Sequence, residues 1–171
     1  MYQSAKTKIV TAKKSDLSAI LNIIKNVFEQ YGMIYDPEND FPDLIAFDDY
    51  YPSDQKELYV IKSGQVLAGC GGYKFDSDGI PYLTRIYVDP KLQGQKLGEM
   101  LVRFLIEQAI SESDLVYLWT DTRFKKAHKL YSKLGFTTKW QTRPLGDINE
   151  SYEFYYELKR EDYVSLLYSQ S

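Results

Sequence analysis

The stretch "DPKLQGQKLGEMLV", Asp89 to Val102, decides how the chain is read. A strand-like run, "YLTRIYV", leads into it, and a helix-like run, "LGEMLVRFLIEQAI", leads out. Between the two stand Gln93, Gly94 and Gly98. Backbone N–H groups at a helix start have no partner inside the helix, and the dipole end there is positive. Such a place receives phosphate oxygens, and Gly94 leaves room for them. Lys91 and Lys96 add point charges. The competing account is a tight turn with Gly98 packed against a sheet. On this stretch alone the two accounts are level. The chain carries no complete G-x-G-x-x-G and no G-K-[ST] phosphate signature.

Periodicity supplies the surrounding elements. "KIVTA" is a short β-like start. "KSDLSAILNIIKNVFEQYG" has apolar residues at Leu17, Ile20, Leu21, Ile24, Val27, Phe28 and Tyr31, which predicts a helix with Ser15 as N-cap and Gly32 at its stop. "MIYDPENDFPDLIAFDDYYPSDQ" reads as a loop with a short helical piece. "ELYVIKS" and "VLAGCGGYKF" read as strands joined at Ser63-Gly64, with "DSDG" as the next turn and "LVYLWT" as a later strand. "RFKKAHKLYSKLGF" puts Phe124, Ala127, Leu130, Tyr131 and Leu134 on one helical face, closed by Gly135 in left-handed geometry. "TTKWQTRPL" and "YEFYYELKR" pair around "GDINES". The tail "EDYVSLLYSQS" stays open between a helix and a docked extension. Strands bracketing helices predict an α/β (α+β) fold with a mixed central sheet. The expected organisation is one domain over residues 1–171, with 159–171 as a C-terminal extension.

Composition narrows the function classes. Apolar and charged fractions of 44% and 26% are those of a globular chain, so disorder is not expected. A net charge of −3 leaves no basic excess to neutralise phosphates, which argues against a nucleic-acid binder. The one cysteine, Cys70, cannot form an internal disulfide, which fits a reducing cytoplasm; inside an apolar strand it reads as a small buried hydrophobe. "MYQSAKTKIVTAKKSD" has no leader-like apolar region, and no run is long enough to span a bilayer. The expectation is a cytoplasmic protein with no membrane partner and no metal.

A second segment separates the level accounts. A strand ending "LWTDT", followed by a helix bearing Ala127 and the run "LYSKLGF", resembles the closing half of the GNAT family of acetyl-CoA-dependent N-acetyltransferases. That family's pattern is Gln or Arg, two residues, Gly, one residue, then Gly or Ala; Gln93 and Gly98 match its ends, and "RIYVDP" precedes the loop as in family members. The opening "KIVTAKKSDL" and its helix resemble the family's first strand and helix. The resemblance covers roughly residues 8 to 158. Two positions depart from it: Lys96 stands at the middle glycine, and Tyr82 stands where many members carry a glutamate as general base.

The resemblance implies that acetyl-CoA lies where the parallel strands "LTRIYV" and "VYLWT" splay apart. Peptide groups of Ile86, Tyr87 and Val88 would pair with the pantetheine arm. N–H groups of Gln93, Gly94, Gln95, Lys96, Leu97 and Gly98 would hold the pyrophosphate. An unprotonated primary amine, of a small molecule, then attacks the thioester directly, and a strand N–H near Val88 stabilises the carbonyl oxygen. Tyr131 matches the position of the family's proton donor to the departing thiolate. The base stays unassigned among Asp121, His128 and a water relay through Tyr82, while Glu99 sits at the helix start near the phosphate end. The segment Asp36–Tyr51 interleaves Asp36, Glu38, Asp40, Asp43, Asp48 and Asp49 with Tyr35, Phe41, Phe47, Tyr50 and Tyr51, which suits a cationic amine with an apolar body. The duller account is a solvated acidic loop with its rings in the core. Within the same class the alternative is a protein N-acetyltransferase; alternatives of other classes are a non-catalytic acyl-CoA-binding or sensing module, and an interaction protein whose tail docks a partner or, as a homodimer, a second copy.

Overall fold

A computed structural model describes residues 6–51 and 56–171; the first five residues and the 52–55 end of the expected loop lie outside the described residues. The strands are β1 (Thr7–Thr11), β2 (Lys56–Ser63), β3 (Val66–Phe75), β4 (Pro81–Val88), β5 (Leu115–Asp121), β6 (Thr137–Pro144) and β7 (Tyr152–Lys159). The helices are α1 (Leu17–Gln30), α2 (Pro37–Asp40), α3 (Pro42–Ile45), α4 (Phe47–Tyr50), α5 (Leu97–Ile110), α6 (Lys125–Lys133) and α7 (Arg160–Ser169). The strands form a seven-stranded mixed sheet in the order β1-β2-β3-β4-β5-β7-β6. The α/β expectation therefore holds. The chain packs as two compact units, one of residues up to Gly72 plus Arg85–Val102, the other of Tyr73–Thr84 plus Arg103–Ser171.

In the first unit β1 and β2 run antiparallel from Thr7 opposite Ser63 to Thr11 opposite Tyr59. The turn into β3 falls at Gly64 and Gln65, one residue beyond the expected pair. α1 buries Ile20, Ile23, Ile24, Val27 and Phe28, the stripe its apolar spacing calls for. Its start differs from expectation. A 3₁₀ turn over Lys14–Asp16 precedes it and takes in Ser15, so Asp16 stands at the cap position. Gly32 follows the helix with φ 66°, as expected of a stop.

The acidic-aromatic segment after α1 is more regular than a loop. It is three four-residue helices, α2, α3 and α4. Pro37 and Pro42 open the first two, where the missing N–H costs nothing and the fixed φ suits a helix. Each is a single closed turn: Phe41 N–H donates to Pro37 O at 3.0 Å, Ala46 N–H to Pro42 O at 2.9 Å and Tyr51 N–H to Phe47 O at 2.9 Å. Phe41, Leu44 and Phe47 are buried, which anchors the segment.

In the second unit β4 and β5 pair in parallel, Tyr82 with Tyr117 and Leu83 with Leu118. β7 lies between β5 and β6, antiparallel to both. Alternation along these strands buries Val116, Leu118, Tyr156 and Leu158 on one face. α6 carries its Tyr131 onto that face, with the Tyr131 and Tyr156 rings 6.0 Å apart, and Gly135 follows it with φ 95°. The tail resolves as a helix. α7 buries Tyr163, whose hydroxyl lies 3.5 Å from Glu107 Oε1, and Arg160 at its start donates to Ser113 O at 3.1 Å. No helix among the described residues is long and apolar enough to cross a membrane.

Candidate active site

The loop between β4 and α5 starts with a cap. The Asp89 carboxylate accepts from the Lys91 backbone N–H at 2.9 Å and fixes a 3₁₀ turn over Pro90–Leu92. Gln93 then ties the loop to its surroundings. Its side-chain amide and that of Gln30 on α1 exchange hydrogen bonds at 3.2 and 3.3 Å, and its Nε2 also reaches Val88 O at 3.4 Å. Gly94 has φ 83° with nothing within 4 Å of where a Cβ would stand. Gly94, Gln95 and Lys96 are exposed, and Leu97 and Gly98 begin α5. The loop thus offers open backbone next to the partnerless N–H groups of a helix start, which fits a diphosphate.

Lys96, which departs from the family pattern, has φ 61°. That left-handed conformation is the one a glycine there adopts freely, at a cost for a side chain of roughly 1–2 kcal/mol. The lysine thus stands in a conformation that favours glycine.

Ile86, Tyr87 and Val88 form the end of β4. Arg85, just before them, has φ 57° in mid-strand. Its guanidinium donates to Asp43 Oδ1 at 2.5 Å and Oδ2 at 3.2 Å and lies 4.8 Å from the Phe41 ring centroid. The Tyr51 hydroxyl donates to the same Asp43 carboxylate. Burial alone would lower the Arg85 pKa, but the hydrogen bonds and charge of Asp43 outweigh it and raise it. Burial, then the Asp43 charge, pushes the Tyr51 phenol up. The Tyr87 ring packs against Phe28 and Phe41 at 6.5 and 6.2 Å.

This bears on the acidic segment. Asp43 is committed to Arg85 and Tyr51, Asp48 is paired with Lys14, and Asp36 accepts from Asn39 at 2.8 Å. Phe41 and Phe47 are core residues. Much of the segment therefore serves the fold: its rings Phe41 and Phe47 sit in the core as the duller account has it, whereas Asp43 is buried and not solvated.

Tyr131 belongs to the second unit and is 5% exposed. Phe136 and Tyr156 pack on its ring at 5.8 and 6.0 Å. Burial, and then Tyr156, raises its pKa, so the phenol keeps its proton at neutral pH. Asp121 is held by Arg123, Nε to Oδ1 and Nη2 to Oδ2, both at 2.9 Å, so its oxygens are occupied. His128 Nε2 lies 2.9 Å from Asp121 O. A carbonyl only accepts, so Nε2 carries the proton. Burial lowers the His128 pKa, and the ring stacks on Tyr156 at 5.8 Å. Glu99 sits in the first turn of α5.

Tyr82 heads a row that the motifs did not announce. Its ring stacks on Tyr117 at 5.5 Å, and Tyr117 lies 5.6 Å from Tyr155. The Tyr117 hydroxyl donates to Asp76 Oδ2 and the Tyr155 hydroxyl to Glu157 Oε2, each at 3.0 Å. Burial first, and the carboxylate partner second, raises both phenols, Tyr155 to about 12. The alternation of "LVYLWT" and "YEFYYELK" held this signal, since every second residue shares a face. No cluster of three His, Cys, Asp or Glu side chains able to hold a metal is found among the described residues.

The acetyltransferase (GNAT) family model matches residues 20–136. No curated protein matches the chain in sequence. Among solved structures, a GNAT-family acetyltransferase from Staphylococcus aureus Mu50 is 19% identical with a TM-score of 0.76, covering 90% of this chain and 99% of its own. A spermidine N-acetyltransferase chimera from Vibrio cholerae is 15% identical with a TM-score of 0.73, covering 92% and 98%. A candidate acetyltransferase from Salmonella typhimurium, solved with its cofactor acetyl-CoA, is 20% identical with a TM-score of 0.68, covering 90% and 94%. These likenesses bear on the fold, and the family model, which spans more than half of the chain, decides membership. The chain belongs to the GNAT family and is an acetyl-CoA-dependent N-acetyltransferase.

Proposed function

We propose that the protein moves the acetyl group of acetyl-CoA to a primary amine of a small molecule, in the cytoplasm, with residues 1–171 acting as one functional domain and 159–171 as its C-terminal extension. The observation that carries the cosubstrate site is the Gln93–Gly98 loop, whose left-handed Gly94 and Lys96 open backbone beside the start of α5. The N–H groups of Gln93, Gly94, Gln95, Lys96, Leu97 and Gly98 hold the pyrophosphate, and the peptide groups of Ile86, Tyr87 and Val88 hold the pantetheine arm. When bound, acetyl-CoA supplies a thioester carbon at which C–N forms as C–S breaks. A backbone N–H near Val88 donates to the oxygen that gains charge. The attacking nitrogen gives up one proton to solvent water as the amide forms, while the Tyr131 phenol gives its proton to the leaving sulfur and is reprotonated from solvent. Burial raises the pKa of that phenol, so it holds its proton at neutral pH and is a weaker acid toward sulfur than an exposed tyrosine.

The loop assignment is tested at Gly94. Gly94→Val puts a branched side chain at φ 83°, in open space, so the strain falls on the loop and not on the core. Calorimetry should show acetyl-CoA affinity lowered about tenfold or more in a folded variant. Wild-type affinity in that variant removes the loop from the site.

A further inference from the structure

We propose that the buried Asp43–Arg85 ion pair is a positioning device, which holds β4 in a left-handed kink at Arg85 so that the peptide groups of Ile86–Val88 are presented to the cosubstrate. The proposal rests on the reading that acetyl-CoA lies along those peptides. A strand residue is normally extended, and a left-handed one in mid-strand re-aims the chain after it. Arginine has no preference for that conformation; at Arg85, with φ 57°, the surroundings must impose it.

Three contacts do so. Asp43, 3% exposed, grips the guanidinium through both oxygens and is itself held by the Tyr51 hydroxyl. The Arg85 carbonyl accepts from the Cys70 thiol at 3.3 Å. That thiol is fully buried, and burial pushes its pKa to about 12, so it stays a donor. Beside it, Gly69 lets β4 come close: a Cβ there would stand 2.7 Å from Tyr87 O and 3.4 Å from Val88 Cα. The side chain and carbonyl of Arg85 are seated separately, and the Tyr87–Val88 peptide beyond them lies close against Gly69. A buried ion pair usually stabilises no better than apolar residues of similar size. Its place at the one kinked residue of β4 therefore points to positioning.

The test separates stability from position. Asp43→Leu with Arg85→Met removes both charges together and should leave the melting temperature near that of the wild type. Its acetyl-CoA Kd, by calorimetry, should rise about tenfold, and amide exchange at Ile86–Val88 in the ligand-free protein should quicken by at least as much. Asp43→Leu with Arg85→Gly should recover most of both losses, because glycine takes the kink without a clamp. Unchanged exchange and affinity in the folded Leu/Met variant overturn the proposal, as does a Gly variant that recovers neither. Should Leu/Met fail to fold, Cys70→Ala removes the carbonyl's donor without adding volume and should shift exchange and Kd in the same direction; wild-type values there overturn the proposal. Quickened exchange in a protein whose wild type binds no acetyl-CoA refutes the site reading and the presentation with it, leaving only the clamp on the kink.

Discussion

Two arginines make the same contacts in different surroundings. Arg85, in the first unit, pairs with Asp43 and lies 4.8 Å from the Phe41 ring centroid; Arg143, in the second, pairs with Glu153 at 2.8 Å and lies 4.3 Å from the Trp119 ring centroid. Exposure separates them. The Arg85 and Asp43 side chains are 21% and 4% exposed, those of Arg143 and Glu153 48% and 14%. The first pair has given up most of its water, Asp43 nearly all of it, and cannot lose a partner cheaply. The second keeps solvent as an alternative partner, and its geometry is worth little. Similar chemistry is thus shielded in one place and solvated in the other, and burial is what tells them apart.

Breaking the buried pair should be the largest stability effect. Asp43→Asn strands the Arg85 charge, and urea unfolding should show a loss of about 3–5 kcal/mol. A loss below about 1 kcal/mol would put Arg85 on a level with Arg143. An intermediate case sharpens the contrast. Burial pushes Asp16 up, but bonds from Lys62 Nζ at 2.7 Å and the Lys13 N–H at 2.9 Å outweigh it and hold its carboxyl below the usual range. A carboxyl lowered on folding stabilises above its unfolded pKa, near 4, and loses that contribution as pH falls through the folded value. Asp16→Asn should therefore cost about 1–3 kcal/mol at pH 7 and much less near pH 2, by urea unfolding at both. Equal costs would remove the charge from the account. The smallest effect belongs to Glu153→Gln, at most about 0.5 kcal/mol and fading with added salt. A larger, salt-insensitive loss would show that the outer pair is not a surface pair.

How much of this was legible follows the same division. Periodicity read α5 as it stands, Leu97–Ile110, because five apolar positions, Leu101, Val102, Leu105, Ile106 and Ala109, all face inward. Gly135 showed the end of α6 because a left-handed residue there is commonly glycine. The kink at Arg85 left no such mark, since nothing in "LTRIYV" sets one residue apart; it is imposed by Asp43, distant in sequence. Lys96 was legible as a departure from a motif, but its left-handed conformation, with φ 61°, was not. The three helices between Asp36 and Tyr51 were masked by their acids, although Pro37 and Pro42 announced two of their starts. Alternation put Tyr117 and Tyr155 on defined faces of their strands, but the Tyr82–Tyr117–Tyr155 row needed the strand order as well.

Steady-state thiol release from acetyl-CoA over a panel of small amines reads acetyl transfer assisted by Tyr131 at the step itself. Amine-dependent release is expected of the wild type. For Tyr131→Phe, which removes one hydroxyl and little packing, kcat should fall by about 10²–10⁴ with acetyl-CoA affinity nearly unchanged. A Tyr131→Phe enzyme with wild-type kcat would contradict the role given to that phenol, and a wild type releasing no thiol with any amine would contradict the choice of acceptor.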